Sequence, residues 1–308
     1  MSNDAKAPPN PGAAAMPPQP HDLPDGVRLV LAPNPSPLTG AGTNSFLIGR
    51  DEIAVIDPGP DLPAHRQAIL QAAATGRITH IFVTHAHRDH SEGVAALAAE
   101  TGAEVLAFGD ALAGRSPLMQ RLAESGGAGG GEGLDLTFRP HRRLADGETV
   151  AAGEWSLTAL HTPGHAGNHL SFQWGQTIFC GDVVMGWSTT LISPPDGDLA
   201  DYFRSLDRLA AVAPARLLPA HGQMIADPQT RLTELAQHRR ARTAQILSAL
   251  REGGPSDAAG LAARIYEVGP ALLPAATRNV LAHLIALAAL GAVGNDGETA
   301  WNSRFHAM

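Results

Sequence analysis

The stretch Thr84-His85-Ala86-His87-Arg88-Asp89-His90 directly follows the apolar run Ile81-Phe82-Val83. A short apolar run of this kind is typical of a buried strand, so the stretch should form a loop at the end of that strand. Neutral imidazole and carboxylate groups suit zinc, iron or manganese. Because the stretch has no thiolate, a structural zinc site of the cysteine type is excluded. The stretch therefore predicts a metal site, and the alternative is a polar surface loop with chance histidines.

Further metal-ligating residues follow other short apolar runs downstream. His165 ends the segment 161–165, Asp182 ends 178–182, and His221 lies in 217–222. Each stands beside glycine or proline, where a strand gives way to a loop. Taken singly, a histidine is usually structural and a Gly-Asp pair is usually a turn. The repetition of one arrangement favours a single composite site.

This order of residues resembles the metallo-β-lactamase-fold hydrolases, and within them the β-lactamase-like protein 2 branch, which is related to thioesterases of the glyoxalase II type. The supporting segments are 39–45 (TGAGTNS), 56–60 (IDPGP) and 181–188 (GDVVMGWS). The resemblance covers roughly residues 28 to 305 and implies an α/β fold, the αββα sandwich. Many members place a pair of small residues after the histidine cluster, where this chain has Ser91-Glu92-Gly93.

The resemblance also implies a ligand set for two divalent ions, with zinc preferred and iron or manganese as alternatives. The first ion would be held by His85, His87 and His165, and the second by Asp89, His90 and His221. Asp182 would bridge them, and a hydroxide shared by the ions would attack the substrate. Asp89 and Asp182 are the predicted catalytic carboxylates, with Asp89 or water carrying the proton.

Two further residues are predicted to orient the ligand imidazoles, namely Asp57 and His169. Their alternative interpretations, a turn carboxylate and a capping histidine, stay open at this point. We see no serine or cysteine triad and no glycine-rich phosphate loop, because the glycines in 126–133 lack the Lys-Ser/Thr ending.

Composition limits the classes of protein. The chain has 308 residues, of which 44% are hydrophobic and 17% charged, with a formal net charge of −8. This acidic balance disfavours extended nucleic-acid binding, because phosphates would be repelled. Cys180 is the only cysteine, so no intramolecular disulfide can form and a reducing, cytoplasmic location is predicted. We expect no membrane span and a small-molecule substrate.

Three regions are predicted along the chain. Residues 1–26 form a disordered tail, because they are rich in proline and alanine and lack the apolar core of a secretory signal. Residues 27–252 form the catalytic domain and 253–308 a small winged-helix-like module. Strands are predicted at 27–31, 45–48, 53–56, 78–83, 104–107, 157–160, 170–174, 177–180 and 216–218. Helices are predicted at 61–74, 91–100, 199–212 and 231–250.

The C-terminal module is predicted from two helices and a hairpin. Ser256 should cap a helix that runs to Tyr266, a longer apolar helix should span 274–290, and Asn295-Asp296-Gly297 is a hairpin signal. The longer helix has few groups that could contact phosphates. We therefore expect a packing role or a homodimer contact, with nucleic-acid binding as the alternative.

Three functions remain open from the sequence. The first is a dinuclear metal-dependent hydrolase of a small ester or thioester. The second is an endoribonuclease that cleaves single-stranded RNA, and the third is a non-catalytic winged-helix protein that binds nucleic acid. The basic cluster His238, Arg239, Arg240 and Arg242 bears on the second, because it is either a solvated helix face or a patch that steers an anionic substrate.

Overall fold

A computed structural model of the chain describes residues 20–126, 130, 131, 133–295, 297 and 302–308. The strands are β1 (Pro20–Asp22), β2 (Arg28–Leu31), β3 (Asn44–Ile48), β4 (Glu52–Ile56), β5 (Arg77–Phe82), β6 (Glu104–Ala107), β7 (Arg142–Arg143), β8 (Thr149–Ala152), β9 (Trp155–His161), β10 (Leu170–Trp174), β11 (Thr177–Gly181), β12 (Arg216–Pro219), β13 (Val293–Asn295) and β14 (Phe305–Ala307). The α-helices are α1 (Pro63–Ala73), α2 (Arg88–Ser91), α3 (Val94–Thr101), α4 (Pro117–Ser125), α5 (Leu199–Val212), α6 (Pro228–Gly253), α7 (Ala258–Ile265) and α8 (Leu273–Ala289).

Two sheets make up the centre of the molecule. Strands β1 to β7 form one sheet in sequence order, antiparallel up to β4 and parallel from β4 to β7. The second sheet has the order β12-β11-β10-β9-β8, and in it only the β11–β12 pair is parallel. The parallel strands of both sheets bring several strand ends to one edge, where a site can be assembled.

The core between the sheets follows from the alternation of side chains along each strand. In β3, Phe46 and Ile48 face the second sheet, whereas Leu47 faces the opposite side, under the helices. Phe82 and Phe172 meet across the sheets with ring centroids 5.2 Å apart. Helices α1 and α3 cover the outer face of the first sheet and α5 and α6 that of the second. The predicted αββα sandwich is confirmed.

The C-terminal module shares helix α6 with the catalytic domain. Leu232 and Leu235 of α6 pack under the second sheet, whereas Ile246 and Leu250 pack with α7, α8 and β13–β14. The core of the predicted winged-helix module therefore begins before residue 253, and the exact domain boundaries stay predictions.

Helix α8 is both long and apolar. With the preceding turn it spans Pro270–Ala289, which by length and composition alone could cross a membrane. Its residues Val280, Leu281 and Leu284 are instead fully buried in the core of the C-terminal module. Packing within the fold accounts for its apolar character.

The N-terminal prediction is wrong over its last residues. Residues 1–19 lie outside the described part of the chain, but Pro20–Asp22 is a strand paired with β2. The strand lies at the sheet edge, where main-chain hydrogen bonds with β2 offset the low strand propensity of proline.

Local corrections concern the C-terminal module. The cap of α7 is Asp257, whose side chain accepts a hydrogen bond from the N–H of Gly260, rather than Ser256. Strands β13 and β14 pair with Asn295 opposite Phe305, so the connection is longer than a two-residue turn. Of the predicted turn, Asp296 lies outside the described residues.

The remaining differences lie in the catalytic domain. Elements α4, β7 and β8 were not predicted, and the helix predicted at 91–100 is divided between α2 and α3.

The basic cluster was predicted to be either a solvated helix face or a steering patch, and Arg239 fits neither because it is buried. Its side chain is 1% exposed, and its guanidinium donates hydrogen bonds to the carbonyl of Thr190 and to the Asn279 side chain. Arg240 is exposed and its guanidinium lies over the ring of Phe203. The helical periodicity placed Arg239 on the polar face, but α8 and the loop between β11 and α5 cover that position.

Candidate metal centre

The predicted site residues converge from the ends of five strands. Asp57 follows β4 and the histidine cluster follows β5. His165 lies in the loop after β9, Asp182 follows β11, and His221 follows β12. The seven predicted ligands fall into overlapping groups in which the ligating atoms lie within 4.8 Å of one another. The structure thus brings all seven together, while their role as metal ligands stays a prediction.

One group consists of three imidazoles. Nδ1 of His87 lies 2.8 Å from Nε2 of His85 and 2.9 Å from Nε2 of His165. His85 and His165 are buried, whereas His87 is half-buried and borders a cleft. Three converging nitrogens with an open side match the geometry of a catalytic metal site.

The second group combines imidazoles and carboxylates. Oδ2 of Asp89 lies 3.5 Å from Nε2 of His90 and 3.3 Å from Nε2 of His221. Asp182 lies between the two groups. Its Oδ2 is 3.6 Å from Nε2 of both His90 and His165, and its Oδ1 is 3.4 Å from Nε2 of His221. This carboxylate is therefore within reach of a ligand in each group.

Unsatisfied atoms support a fit to cations. Among the described residues, Nε2 of His90 and Oδ1 of Asp182 are buried and have no hydrogen-bond partner. Leaving such atoms without a partner costs free energy, so unpartnered atoms that converge among ligand-type groups fit a site that accepts a cation. The donor set of imidazoles and carboxylates suits divalent cations such as zinc.

The remaining ring nitrogens have partners that set each tautomer. Nδ1–H of His165 donates to the carbonyl of Leu191 at 2.7 Å, and that of His221 donates to the carbonyl of Gly42 at 3.1 Å. Because carbonyls only accept hydrogen bonds, the neutral form of each of these histidines has its proton on Nδ1 and its lone pair on Nε2, which faces the site. The sequence did not indicate either acceptor, since any residue can supply a carbonyl.

Asp57 orients two parts of the histidine loop. Its Oδ2 accepts a hydrogen bond from Nδ1 of His90 at 2.9 Å, and its carboxylate accepts from both the main-chain N–H and the hydroxyl of Thr84. The Thr84 hydroxyl can then accept from Nδ1 of His85 at 3.0 Å. One buried carboxylate thus contacts His90 directly and His85 through Thr84, while its role in orienting metal ligands stays a prediction. The role of Thr84, the first residue of the stretch 84–90, was not predicted from the sequence.

His169 acts differently from the prediction. Its Nε2 accepts a hydrogen bond from the main-chain N–H of Asp182 at 3.0 Å, and its Nδ1 lies 3.0 Å from the Thr162 hydroxyl. It therefore positions the backbone of Asp182, and its contact with a predicted ligand is ring packing against His85, with centroids 5.2 Å apart, rather than a hydrogen bond. Gly181 permits this approach, because a Cβ at that position would lie 2.5 Å from Nε2 of His169.

The glycine-rich segment 126–133 contacts the histidine loop. The N–H of Arg88 donates to the carbonyl of Gly133 at 2.9 Å, and the N–H of Asp135 donates to the carbonyl of Ala86 at 2.8 Å. These two hydrogen bonds hold His87 from both sides along the backbone. Residues 127–129 and 132 of the segment lie outside the described part.

The sequence of the catalytic region carries a known signature. Residues 38–221, more than half of the chain, match the metallo-β-lactamase superfamily. The chain belongs to the metallo-β-lactamase superfamily. Residues 258–301 match the winged-helix domain associated with β-lactamases, so the predicted resemblance and the C-terminal winged helix are both confirmed. Members of this superfamily are generally hydrolases.

Individual relatives extend over most of the chain. The β-lactamase-like protein 2 homolog of Drosophila melanogaster is 30% identical and aligns with 85% of this chain and 87% of its own. The atrochrysone carboxyl ACP thioesterase of Aspergillus chevalieri is 31% identical over 80% of this chain and 74% of its own. A crystal structure of a metallo-β-lactamase family protein from Thermus thermophilus superposes with a TM-score of 0.72 at 27% identity, covering 92% of this chain and 99% of that one.

The electrostatics of this superfamily site differ between its two groups. Burial, together with the neighbouring imidazoles, lowers the pKa of His87 to about 3. Burial would also lower the pKa of His221, but Asp182 and Asp89 outweigh it and raise that pKa to about 10. Burial would raise the pKa of Asp89, but His90 and His221 hold it below its usual range. The first group thus presents neutral imidazoles and the second an ionised carboxylate.

Proposed function

We propose that this protein is a dinuclear metal-dependent hydrolase of a small ester or thioester. The observation that supports it most directly is the position of Asp182, whose carboxylate lies within 3.6 Å of ligand-type nitrogens in both groups. His85, His87 and His165 would hold one ion, and Asp89, His90 and His221 the other. When bound, two divalent ions, zinc by preference, supply Lewis acidity that activates water and polarises the substrate carbonyl.

In the proposed reaction, side chains of this site would transfer the proton and hold the carboxylate that carries it. Water adds to the carbonyl carbon, the bond from that carbon to the leaving oxygen or sulfur breaks, and a carboxylic acid and an alcohol or thiol are released. Asp89 is half-buried and would accept a proton from the attacking water and pass it to the leaving group. The hydroxyl of Thr43, 3.3 Å from Oδ2 of Asp89, would hold this carboxylate in place.

The ester or thioester class is supported by a relative and by charge. The Aspergillus chevalieri relative is named as a thioesterase. The net charge of −8 does not favour a polyanionic substrate.

A substrate panel with zinc-loaded protein tests the proposal. It would contain a p-nitrophenyl ester, an acyl thioester read by thiol release, nitrocefin and bis-p-nitrophenyl phosphate. We expect turnover of the ester or thioester and its loss in an Asp182→Asn variant that keeps its fold. Turnover of the phosphodiester alone would contradict the substrate class.

The two nucleic-acid alternatives have less support. The patch invoked for an endoribonuclease on single-stranded RNA contains Arg239, which is buried. Helix α8 offers Arg278 and His283 as its ionisable groups, and both are buried, so a non-catalytic nucleic-acid-binding role has few groups to contact phosphates.

Location and assembly are proposed on narrower grounds. A reducing, cytoplasmic compartment is proposed because Cys180, the single cysteine, is a buried free thiol. A homodimer through the end of α8 is proposed because Leu290 is 81% exposed there.

A further inference from the structure

A cleft opens beside the three-histidine group. It has a volume of about 470 Å³ and is bordered by His87 and His165 on the side of the metal centre. Its apolar walls are formed by Leu38 and Leu191 of the catalytic domain and by Ala271, Pro274 and Ala275, which lie at the start of helix α8 and in the turn before it. The C-terminal module therefore borders the space next to the reacting centre.

Hydrogen bonds attach this wall to the metal centre. The side-chain oxygen of Asn279, on α8, accepts from the N–H of Ile192 at 3.1 Å and from the guanidinium of Arg239 at 3.0 Å. The neighbouring carbonyl of Leu191 accepts from Nδ1 of His165 at 2.7 Å. A short chain of contacts thus connects a predicted metal ligand to helix α8, so the wall is held at a defined distance from the site.

The charged groups of the cleft interact within the protein. Asp196 forms an ion pair with Arg115 and accepts a hydrogen bond from the N–H of Gly131 at 2.6 Å. The guanidinium of Arg278 donates to the carbonyl of Pro194 at 3.2 Å. A ligand beside His87 therefore meets aliphatic side chains, together with a small polar contribution from Ser193.

We propose that this cleft receives the aliphatic acyl group of the substrate and that Ala275 sets the length of chain it accepts. The inference rests on the proposed hydrolase function and deepens it, because it names medium-chain acyl esters and thioesters as the substrate class. Each methylene group that leaves water for an apolar wall strengthens binding by about fourfold. A small residue at position 275 leaves room for such a chain, and a larger one would fill it.

Substitution of Ala275 by leucine tests the assignment. Leucine keeps the helix propensity of α8 but adds volume to the wall. Ala289→Leu, on the exposed end of the same helix, is the matched control. The measurement is kcat/KM for a series of acyl thioesters from acetyl to decanoyl with one common thiol. The second measurement is calorimetric binding of acetate, octanoate and decanoate to the zinc-loaded proteins.

The expected result is selective for chain length. In the wild type, kcat/KM and carboxylate affinity should rise with chain length. Ala275→Leu should lower both by about tenfold or more for decanoyl and decanoate, with acetyl changed less than about twofold and Ala289→Leu like the wild type. A uniform loss across the series, or no change, would overturn the acyl assignment.

The binding arm separates this inference from the proposed function. Selective decanoate binding that Ala275→Leu removes, without hydrolysis of any thioester or of the p-nitrophenyl ester, would support the cleft and contradict the hydrolase. Hydrolysis without chain-length selectivity would support the hydrolase and contradict the assignment of the cleft to the acyl group. Failure of both arms would overturn both.

Discussion

Nδ1 of His90 lies 2.9 Å from Oδ2 of Asp57, and both side chains are buried. The two residues are separated by 33 positions in the chain and follow adjacent parallel strands, β4 and β5. This contact directs Nε2 of His90 towards Asp89 and Asp182, so a buried carboxylate outside the predicted ligand set orients one member of it.

Replacing Asp57 should therefore weaken metal binding. In Asp57→Asn the hydrogen bond to His90 loses its charge, and the affinity for the second ion should fall about 10- to 100-fold. Asparagine tolerates the positive φ of 51° at this position, so the backbone should be retained. Competition with a chromogenic chelator measures the affinity. Asp61→Asn, an exposed carboxylate in the turn that follows β4, is the control and should bind like the wild type.

Replacing Asp182 should change the number of bound ions. Its carboxylate reaches both groups, so Asp182→Asn should hold at most one ion tightly where the wild type holds two. Elemental analysis of gel-filtered protein gives the ratio of metal to chain. Retention of two tightly bound ions by the variant would remove Asp182 from the bridging position.

Removing metal should lower thermal stability. An ion present at about 1,000 times its dissociation constant stabilises the folded state by about 4 kcal/mol, which corresponds to a change in Tm of roughly 6 °C for a chain of this size. Calorimetry before and after chelation, with zinc added back, measures it. An unchanged Tm in protein shown by elemental analysis to have lost its metal would contradict the prediction.

Arg239 should prove structural. Arg239→Ala removes a buried guanidinium and leaves the Thr190 carbonyl and Asn279 without that donor, so the free energy of unfolding should fall by about 2–4 kcal/mol. Arg240→Ala, one residue further on the exposed side, removes only the contact with the Phe203 ring and should change it by less than about 1 kcal/mol. Urea unfolding of both variants provides the comparison, and similar values would place Arg239 on a solvated face after all.

Stability should fall in mild acid because of His283. Burial, reinforced by the charges of Arg239, Arg242 and His238, lowers the pKa of His283 to about 3. In the unfolded chain a histidine has a pKa of about 6.5, so below that pH only the unfolded state binds the proton. The contribution of His283 should be fully present above pH 6.5 and decline by about 1.4 kcal/mol per pH unit towards pH 3.

The comparison of urea unfolding at pH 7 and pH 5 in wild type and His283→Gln isolates this contribution. The variant should lose less stability between the two pH values than the wild type, since glutamine does not titrate. Equal losses in the two proteins would assign the acid sensitivity to other groups.

Local patterns predicted the strands and the strand ends that carry the candidate ligands, and the resemblance to the metallo-β-lactamase-fold hydrolases implied the αββα architecture and the ligand set. Successive apolar residues such as Phe46, Leu47 and Ile48 specify a strand with two buried faces, and strand ends are where side chains such as Asp182 and His221 can meet. These features depend on residues a few positions apart, so a single sequence contains them.

Long-range packing decided the remaining features. The periodicity of α6 cannot show that Arg239 is covered by α8, because that contact joins residues 40 positions apart. The carbonyls of Leu191 and Gly42 that orient His165 and His221 have no sequence signature, since every residue carries a carbonyl group. The sequence alone determined which residues can ligate metal. Only the folded chain decided how each imidazole is turned and which helix borders the cleft, because both depend on backbone positions set by distant parts of the fold.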